Sequence, residues 1–216
     1  MIQISQNKTS IINQDNLDKL KKIFEKEHVI VLQDLLAPSL RGFIEMQFQK
    51  ADYLKKTHVG KENYIIGEEF VLNKQSMLYS MFLLLMNTNE YLDAIRYITG
   101  LDNIKSFSGR IYKLDASDDC FDNWHNDIVS KEGRLVGLSL NLSSNSYEGG
   151  HFMIKEKNQE NIIKEISYKD WGSAHIFRID KKLVHKVSKV TGEVPRIAYA
   201  GWFMSEIGFK DYLNNS

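Results

Sequence analysis

Two histidines and an aspartate stand in a pattern that suits a metal site. His125 and Asp127 are two residues apart, and His185 follows much further along the chain. Side chains two residues apart on an extended chain point to the same side, because a strand alternates its faces. One short segment therefore offers two ligands, and a strand packed opposite can supply the third. Two imidazoles and one carboxylate suit non-haem Fe(II) and leave coordination positions open.

A single arginine near the C-terminus predicts an anion site. Arg196 alternates with Ala198, Ala200 and Trp202 on one face of an otherwise apolar segment. An arginine on the inward face of a sheet needs a buried anion to offset its desolvation. The planar guanidinium matches the geometry of a carboxylate, and the two alanines leave room for one.

Four segments in this order resemble the 2-oxoglutarate/Fe(II)-dependent oxygenases, and most closely their prolyl-4-hydroxylase-like branch. They are WHND at 124–127, YEGGHFMI at 147–154, LVHKVSKV at 183–190 and RIAYAGWF at 196–203. The resemblance implies that His125, Asp127 and His185 bind Fe(II). It also implies that Arg196 binds the distal carboxylate of the cosubstrate 2-oxoglutarate.

Two further residues match cosubstrate-binding positions of that family. Tyr112 precedes the His-x-Asp segment at a place where relatives carry a tyrosine that donates to the 2-oxoglutarate carboxylate, and Asn141 follows that segment. One departure concerns the hydroxyl that relatives often carry two or four residues after the arginine. This chain has Ala198 and Ala200 there.

The resemblance implies hydroxylation of an unactivated C–H bond with O2, and with release of succinate and CO2. The implied substrate is an amino acid, a peptide or protein side chain, or a natural-product intermediate, and ascorbate is a further candidate cofactor. Desaturation or ring closure stays open, because loops 57–74 and 115–123 do not encode a readable pocket. Two alternatives are a cupin-type metalloenzyme that does not use 2-oxoglutarate and a catalytically inactive binding module. His151 or His175 could also replace His185 in a different triad.

The composition of the chain limits the classes of partner that it is expected to bind. Lys plus Arg (28) equals Asp plus Glu (28), so no net charge favours nucleic acid or an anionic membrane. The single cysteine, Cys120, is expected to be a bystander thiol; it excludes an intrachain disulfide and fits a reducing compartment. The apolar run at 77–86 is too short to span a bilayer, and the N-terminus has no secretory signal pattern. These features predict a cytoplasmic protein.

The first half of the chain, residues 1–104, is predicted to be a helix-rich support. Apolar residues recur at helical spacing in several segments, and a strand is expected at 28–36. Segment 57–74 suggests one or two short strands. The predicted helices are 15–27, 40–56, 76–87 and 89–99, with Asn13 or Asp15 as the first cap and Gly100 as the last.

The second half alternates with period two and predicts a β-rich core over 105–204. The predicted strands are 106–114, 134–143, 151–157, 161–168, 173–179, 183–190 and 196–204, with a polar loop at 115–123. We expect about eight short strands in two facing sheets, with His125 and His185 on neighbouring strands. The fold class is mainly β with flanking helices (α+β). The resemblance implies a double-stranded β-helix, or jelly roll, within one domain over residues 1–216.

Overall fold

The computed structural model describes residues 2–6, 8–11, 13–59, 65–116, 121–128, 133–167 and 170–206, with the backbone alone at 65–67, 121 and 122. Cys120 lies outside the described residues. The elements of the first half are β1 (Ile2–Ile4), β2 (Thr9–Ile11), α1 (Gln14–Glu27), β3 (Val29–Leu32), a 3-10 turn (Pro38–Leu40), α2 (Arg41–Phe48), β4 (Tyr53–Val59), β5 (Ile65–Leu72), α3 (Met77–Met86) and α4 (Asn89–Thr99).

The second half is built from strands. They are β6 (Ser106–Leu114), β7 (Phe121–His125), β8 (Arg134–Asn141), β9 (Glu148–Gly149), β10 (Phe152–Glu156), β11 (Ile162–Ile166), β12 (Ala174–Arg178), β13 (Leu183–Val187), β14 (Val190–Thr191) and β15 (Arg196–Met204). Each predicted strand has a counterpart here. The predicted loop at 115–123 is shorter than expected, because β7 already begins at residue 121.

The helix ends follow the sequence signals. Asn13 caps α1, and its Oδ1 accepts a hydrogen bond of 2.8 Å from the backbone N–H of Asp15. Ser76 caps α3 by accepting from the N–H of Tyr79 at 3.2 Å. Helix α4 ends at Gly100, whose φ of 69° is the left-handed conformation that glycine adopts without a Cβ clash. None of the described helices is both long and apolar enough to cross a membrane.

The predicted helix 40–56 is wrong in its second half. Helix α2 ends at Phe48, and the chain re-enters a strand at Tyr53. Seven residue pairs join β4 to β5, from Tyr53 opposite Leu72 to Val59 opposite Ile65. This pairing with the following segment of the chain overrides the local helix propensity of a lysine-rich stretch. The β1–β2 hairpin at the N-terminus was not predicted either.

The main sheet is antiparallel and continuous. Its hydrogen-bonding order is β11-β10-β13-β7-β5-β6-β15-β8-β12-β3, and β4 pairs with β5 beside this path. Strands β3, β4 and β5 come from the first half of the chain, so both halves build the same sheet.

Aromatic contacts reveal that this sheet curls back on itself. Phe152 on β10 and Phe177 on β12 have ring centroids 4.8 Å apart, although six strands separate β10 from β12 in the hydrogen-bonding order. Phe177 also lies 4.4 Å from the ring of His185 on β13. Strands that are far apart in the hydrogen-bonding order therefore face one another across a cavity, but they belong to one sheet and not to the two facing sheets that were expected.

Two apolar clusters fill the two sides of the sheet. On the outer side, α3 and α4 pack against β6 and β15, where Phe82 stacks on Tyr199 at 4.6 Å and Phe107 meets Phe203 edge-on at 4.7 Å. The inner side holds a smaller cluster around Phe152. The helices therefore hold the outer face of strands whose inner face carries the candidate site.

Candidate active site

His125, Asp127 and His185 come together on the inner side of the curled sheet. His125 is the last residue of β7 and lies directly opposite His185 on β13, and their ring centroids are 4.4 Å apart. One ligand atom from each of the three side chains lies within 4.8 Å of the others. The expected placement of the two histidines on neighbouring strands is confirmed. This set of nitrogen and oxygen donors could hold a metal ion.

Hydrogen bonds orient the first two of these side chains. The Nδ1 atom of His125 lies 2.7 Å from the carbonyl oxygen of Asn123. A carbonyl can only accept, so Nδ1 carries a proton, and Nε2 is the nitrogen that faces the cluster. Asp127 accepts a 2.7 Å hydrogen bond at Oδ2 from the indole Nε1 of Trp202.

The carboxylate of Asp127 is held in its charged form. Burial raises its pKa, but the charge of His185 and the hydrogen bonds from His125 and His185 outweigh burial and hold the pKa well below its usual range. His125 Nε2 lies 3.5 Å from Oδ1, and His185 Nε2 lies 3.4 Å from Oδ2. At neutral pH the cluster therefore offers one anionic oxygen ligand and two imidazoles.

The loop that carries Asp127 is fixed by the residue before it. The side-chain amide of Asn126 donates to the carbonyl oxygens of Asp180 and Leu183, at 2.7 and 3.0 Å. These carbonyls lie just before and at the start of β13, the strand that carries His185. The amide therefore ties the two ligand-bearing segments together.

Arg196 is buried on the inner face of β15, with 3% of its surface exposed. Its Nη1 donates to the hydroxyl of Tyr112, and its Nη2 donates to Ser139 Oγ at 2.9 Å. Gly150 has a φ of 65°, and a Cβ there would lie 2.9 Å from Arg196 Cδ. The Gly-Gly turn thus leaves room for the arginine stem.

The two hydroxyls extend the anion site beyond the guanidinium. Arginine has no acceptor, so Tyr112 and Ser139 must accept from Arg196, and each keeps its own proton for another acceptor. A guanidinium with two such hydroxyls beside it is suited to a carboxylate. Tyr112 lies where the sequence led us to expect it, and Ser139 was not predicted.

A cavity of about 400 Å³ connects the two groups. The three clustered side chains line it together with Tyr112 and Ser139. Its size is in the range of sites for small ligands. A molecule with a carboxylate at the hydroxyls of Tyr112 and Ser139 can therefore extend toward the cluster without leaving the cavity.

A buried ion pair forms another part of the cavity wall. Glu69 on β5, 5% exposed, accepts from Arg110 on β6 at 2.5 and 3.1 Å and lies 2.6 Å from His58 Nε2 on β4. Burial raises the pKa of Glu69, but the charge of Arg110 and the hydrogen bonds from His58 and Arg110 lower it to about 2. The ion pair therefore joins the β4–β5 hairpin to strand β6.

Trp124 and Trp202, which flank the clustered residues in the sequence, differ in position. Trp202 lines the cavity, with the guanidinium of Arg134 3.5 Å and that of Arg110 5.3 Å from its ring centroid. Trp124 packs instead against Lys155 and Lys186, whose ammonium groups each lie 4.9 Å from its ring centroid. Trp202 is therefore the tryptophan of the site.

The remaining predicted residues are placed as follows. The Asn141 amide donates to the Asp170 carbonyl at 3.2 Å, and its Oδ1 accepts from the Ser143 N–H at 3.2 Å. Its role toward a cosubstrate stays a prediction. His151 pairs with Glu165 at 2.6 Å. Neither His151 nor His175 belongs to the metal-suited cluster found among the described residues.

Sequence reasoning missed Ser139 and Glu69 for different reasons. Ser139 is two residues before Asn141 on the same strand, so period-two alternation could have placed it on the same inner face. Glu69 carried no comparable signal. Its partner Arg110 lies on β6, and the sequence did not predict the pairing of β5 with β6 that brings the two side chains together.

Comparison with protein-family models gives a match over part of the chain. The sequence model of the 2OG-Fe(II) oxygenase superfamily matches residues 110–204. This segment contains the histidine–aspartate cluster, Tyr112 and Arg196. Among curated proteins, none matches the chain significantly.

Solved structures resemble the chain over most of its length. A 2OG-Fe(II) oxygenase family oxidoreductase from Burkholderia pseudomallei is 11% identical, with a TM-score of 0.68 over 96% of this chain and 98% of that one. A prolyl-4-hydroxylase from Pseudomonas putida is 15% identical, with a TM-score of 0.61 over 87% and 98%. A Trichoplax adhaerens prolyl hydroxylase in complex with a hypoxia inducible factor peptide fragment is 13% identical, with a TM-score of 0.59 over 95% and 98%.

Proposed function

We propose that the chain is a 2OG-Fe(II) oxygenase that hydroxylates an unactivated C–H bond in a reaction that consumes 2-oxoglutarate and O2. The sequence model of that superfamily matches residues 110–204. One observation carries the proposal. The metal-suited cluster and the hydroxyls held by the buried Arg196 line the same cavity. A cosubstrate that carries both a chelating oxoacid and a distal carboxylate matches that pair of groups.

The fold agrees with this proposal. The curled antiparallel sheet with helices on its outer face supports a double-stranded β-helix core over 105–204. The pairing of β3, β4 and β5 with strands of the second half supports a single domain over 1–216. The single cysteine continues to favour a cytoplasmic location, which stays a prediction.

The donor set fits Fe(II). Two imidazoles and one carboxylate within 4.8 Å of one another match the set of ligands that non-haem Fe(II) prefers. Under the proposal, His125, Asp127 and His185 hold the iron, and Trp202 and the Asn123 carbonyl orient two of these ligands. Bound Fe(II) supplies the oxidation by O2, coupled to the conversion of 2-oxoglutarate to succinate and CO2.

Other residues in and beside the cavity bind and orient the cosubstrate and the substrate. Arg196 neutralises the distal carboxylate of 2-oxoglutarate, while Tyr112 and Ser139 donate their hydroxyl protons to it. The rings of Phe152 and Phe177 exclude water from the inner end of the cavity, which strengthens these charged contacts. Trp202, Arg110 and Glu69 line the part left for the substrate. Their contribution is orientation rather than chemistry.

The substrate class stays broad: an amino acid, a peptide or protein side chain, or a natural-product intermediate. Hydroxylation is the proposed outcome, and desaturation or ring closure requires only a different placement of the substrate. One structural neighbour is a prolyl hydroxylase complexed with a peptide, which supports including peptides in a substrate screen. The screen reads the gain of one oxygen atom by mass spectrometry.

The test of the proposal is conversion of 2-oxoglutarate to succinate by the purified protein. We expect conversion only with Fe(II), and we expect added ascorbate to sustain it. Succinate formation without Fe(II), or metal binding without 2-oxoglutarate binding, would favour a cupin-type metalloenzyme. Absence of both metal and 2-oxoglutarate binding would favour an inactive binding module.

A further inference from the structure

His175 occupies an unusual place for a histidine. It lies on the inner face of β12, is 1% exposed, and lines the same cavity as the clustered residues. Its ring centroid is 4.2 Å from that of Phe152 and 6.0 Å from that of Phe177. An apolar side chain would fill such surroundings at lower cost, because a buried imidazole must keep its hydrogen bonds.

The strand register brings His175 to the anion site. His175 lies directly opposite Ser139 in the ladder between β12 and β8. Side chains of directly opposite residues are about 5 Å apart at Cβ. Ser139 in turn accepts the hydrogen bond from Arg196 Nη2 at 2.9 Å. His175 is therefore one side chain away from the arginine.

The inner face of the sheet has free space next to Ser139. Ser139 also lies directly opposite Ala200 on β15, and the small side chain of Ala200 leaves space on the inner face. This chain places polar groups next to that alanine, at Ser139 and His175. Strands β8 and β12 therefore supply the polar side chains that β15 lacks at this level of the sheet.

His175 also lies near the metal-suited cluster. The ring of Phe152 stands 4.2 Å from His175 and 5.7 Å from His185, so the same phenyl ring contacts both histidines. Burial, then the charges of Arg196 and His185, lower the pKa of His175 well below its usual range. The ring is neutral at physiological pH and has one N–H to donate.

We propose that His175 is a cosubstrate-binding residue whose ring N–H donates a hydrogen bond to a carboxylate oxygen of bound 2-oxoglutarate. This proposal rests on the proposed function, because it assumes that an oxoacid bridges the cluster and Arg196. Any such molecule passes the row formed by Ser139 and His175. The neutral ring donates a hydrogen bond and adds no further positive charge beside the metal-suited cluster.

The test is calorimetric titration of 2-oxoglutarate into the protein loaded with Mn(II), which gives an equilibrium constant independent of turnover. His175→Leu keeps the volume and removes the donor. We expect its dissociation constant to rise about 10-fold or more, since the lost hydrogen bond has a charged acceptor. His175→Gln or His175→Asn, whose amides reach the positions of the two ring nitrogens, should recover part of the affinity. Mn(II) affinity should stay unchanged in each variant.

Ile176→Val is the matched control. It lies next to His175 on β12 but faces the outer cluster, and its 2-oxoglutarate affinity should equal that of the wild type. A purely structural histidine predicts a lower melting temperature in His175→Leu with an unchanged dissociation constant, and this result would overturn the proposal. If His175→Leu does not fold, His175→Met, which also lacks a donor, takes its place, and wild-type 2-oxoglutarate affinity in that variant would overturn the proposal as well. Wild-type protein that binds Mn(II) but not 2-oxoglutarate would instead refute the proposed function.

Discussion

The indole N–H of Trp202 donates a 2.7 Å hydrogen bond to Oδ2 of Asp127. Trp202 and Arg196 share the inner face of β15. A single strand therefore carries both the arginine of the anion site and the donor that orients the carboxylate of the cluster. The spacing between the two parts of the site is consequently set by the length of one strand.

Removing the indole donor should weaken metal binding. Trp202→Phe keeps an aromatic ring beside Arg134 but cannot hold Asp127. Partners of metal ligands typically affect affinity by about 10–100-fold, and we expect a loss of roughly 10-fold for Fe(II). Metal titration under anaerobic conditions measures this. Trp124→Phe, whose ring packs between two lysines, is the control and should bind as the wild type does; an equal affinity in Trp202→Phe would show that the indole does not orient the carboxylate.

Replacing Arg196 should weaken the binding of 2-oxoglutarate and leave the binding of Fe(II) nearly unchanged. Arg196→Lys cannot donate to Tyr112, Ser139 and a carboxylate in the same geometry. We expect the Michaelis constant for 2-oxoglutarate to rise by roughly 10-fold or more, with nearly unchanged Fe(II) affinity. Arg196→Met should be worse, because the charge is lost as well. Steady-state kinetics with varied 2-oxoglutarate measures both, and unchanged constants would place the cosubstrate elsewhere.

The ion pair of Glu69 and Arg110 should make stability depend on acid pH. The pKa of Glu69 is lowered from 4.5 to about 2, so the carboxylate stabilises the fold above about pH 4.5, and this contribution disappears as the pH falls toward 2. At neutral pH, Glu69→Gln should lower the free energy of unfolding by on the order of 3 kcal/mol.

Denaturant titrations at several pH values check this dependence. The difference between wild type and Glu69→Gln should shrink steadily between pH 4.5 and 2. Glu68→Gln, which removes the ion-pair partner of the exposed Lys55, is the control and should have a small effect at every pH. A difference that did not change with pH would mean that the charge of Glu69 does not contribute.

The sequence predicted the parts of the site that depend on local alternation. His125 and Asp127 share a face because they are two apart, and Arg196 shares one with Ala198 and Ala200 for the same reason. Tyr112 was placed by resemblance and lies against Arg196 as expected. These inferences needed no knowledge of which strands pair.

The sequence could not predict contacts that depend on pairing between distant strands. Ser139 reaches Arg196 because β8 lies beside β15 with Ser139 opposite Ala200, and local sequence does not specify that register. The end of α2 at Phe48 was missed for a similar reason. The stretch after it becomes a strand only because β5 is available to pair with it.

The most direct test of the account is Fe(II) binding, together with succinate formation from 2-oxoglutarate, in His185→Ala. His185 supplies one of three ligands, so we expect loss of tight Fe(II) binding and of all turnover. His151→Ala is the matched control, because His151 pairs with Glu165 outside the cluster, and it should retain both properties. Full Fe(II) binding and full turnover in His185→Ala would contradict the assignment of the metal centre.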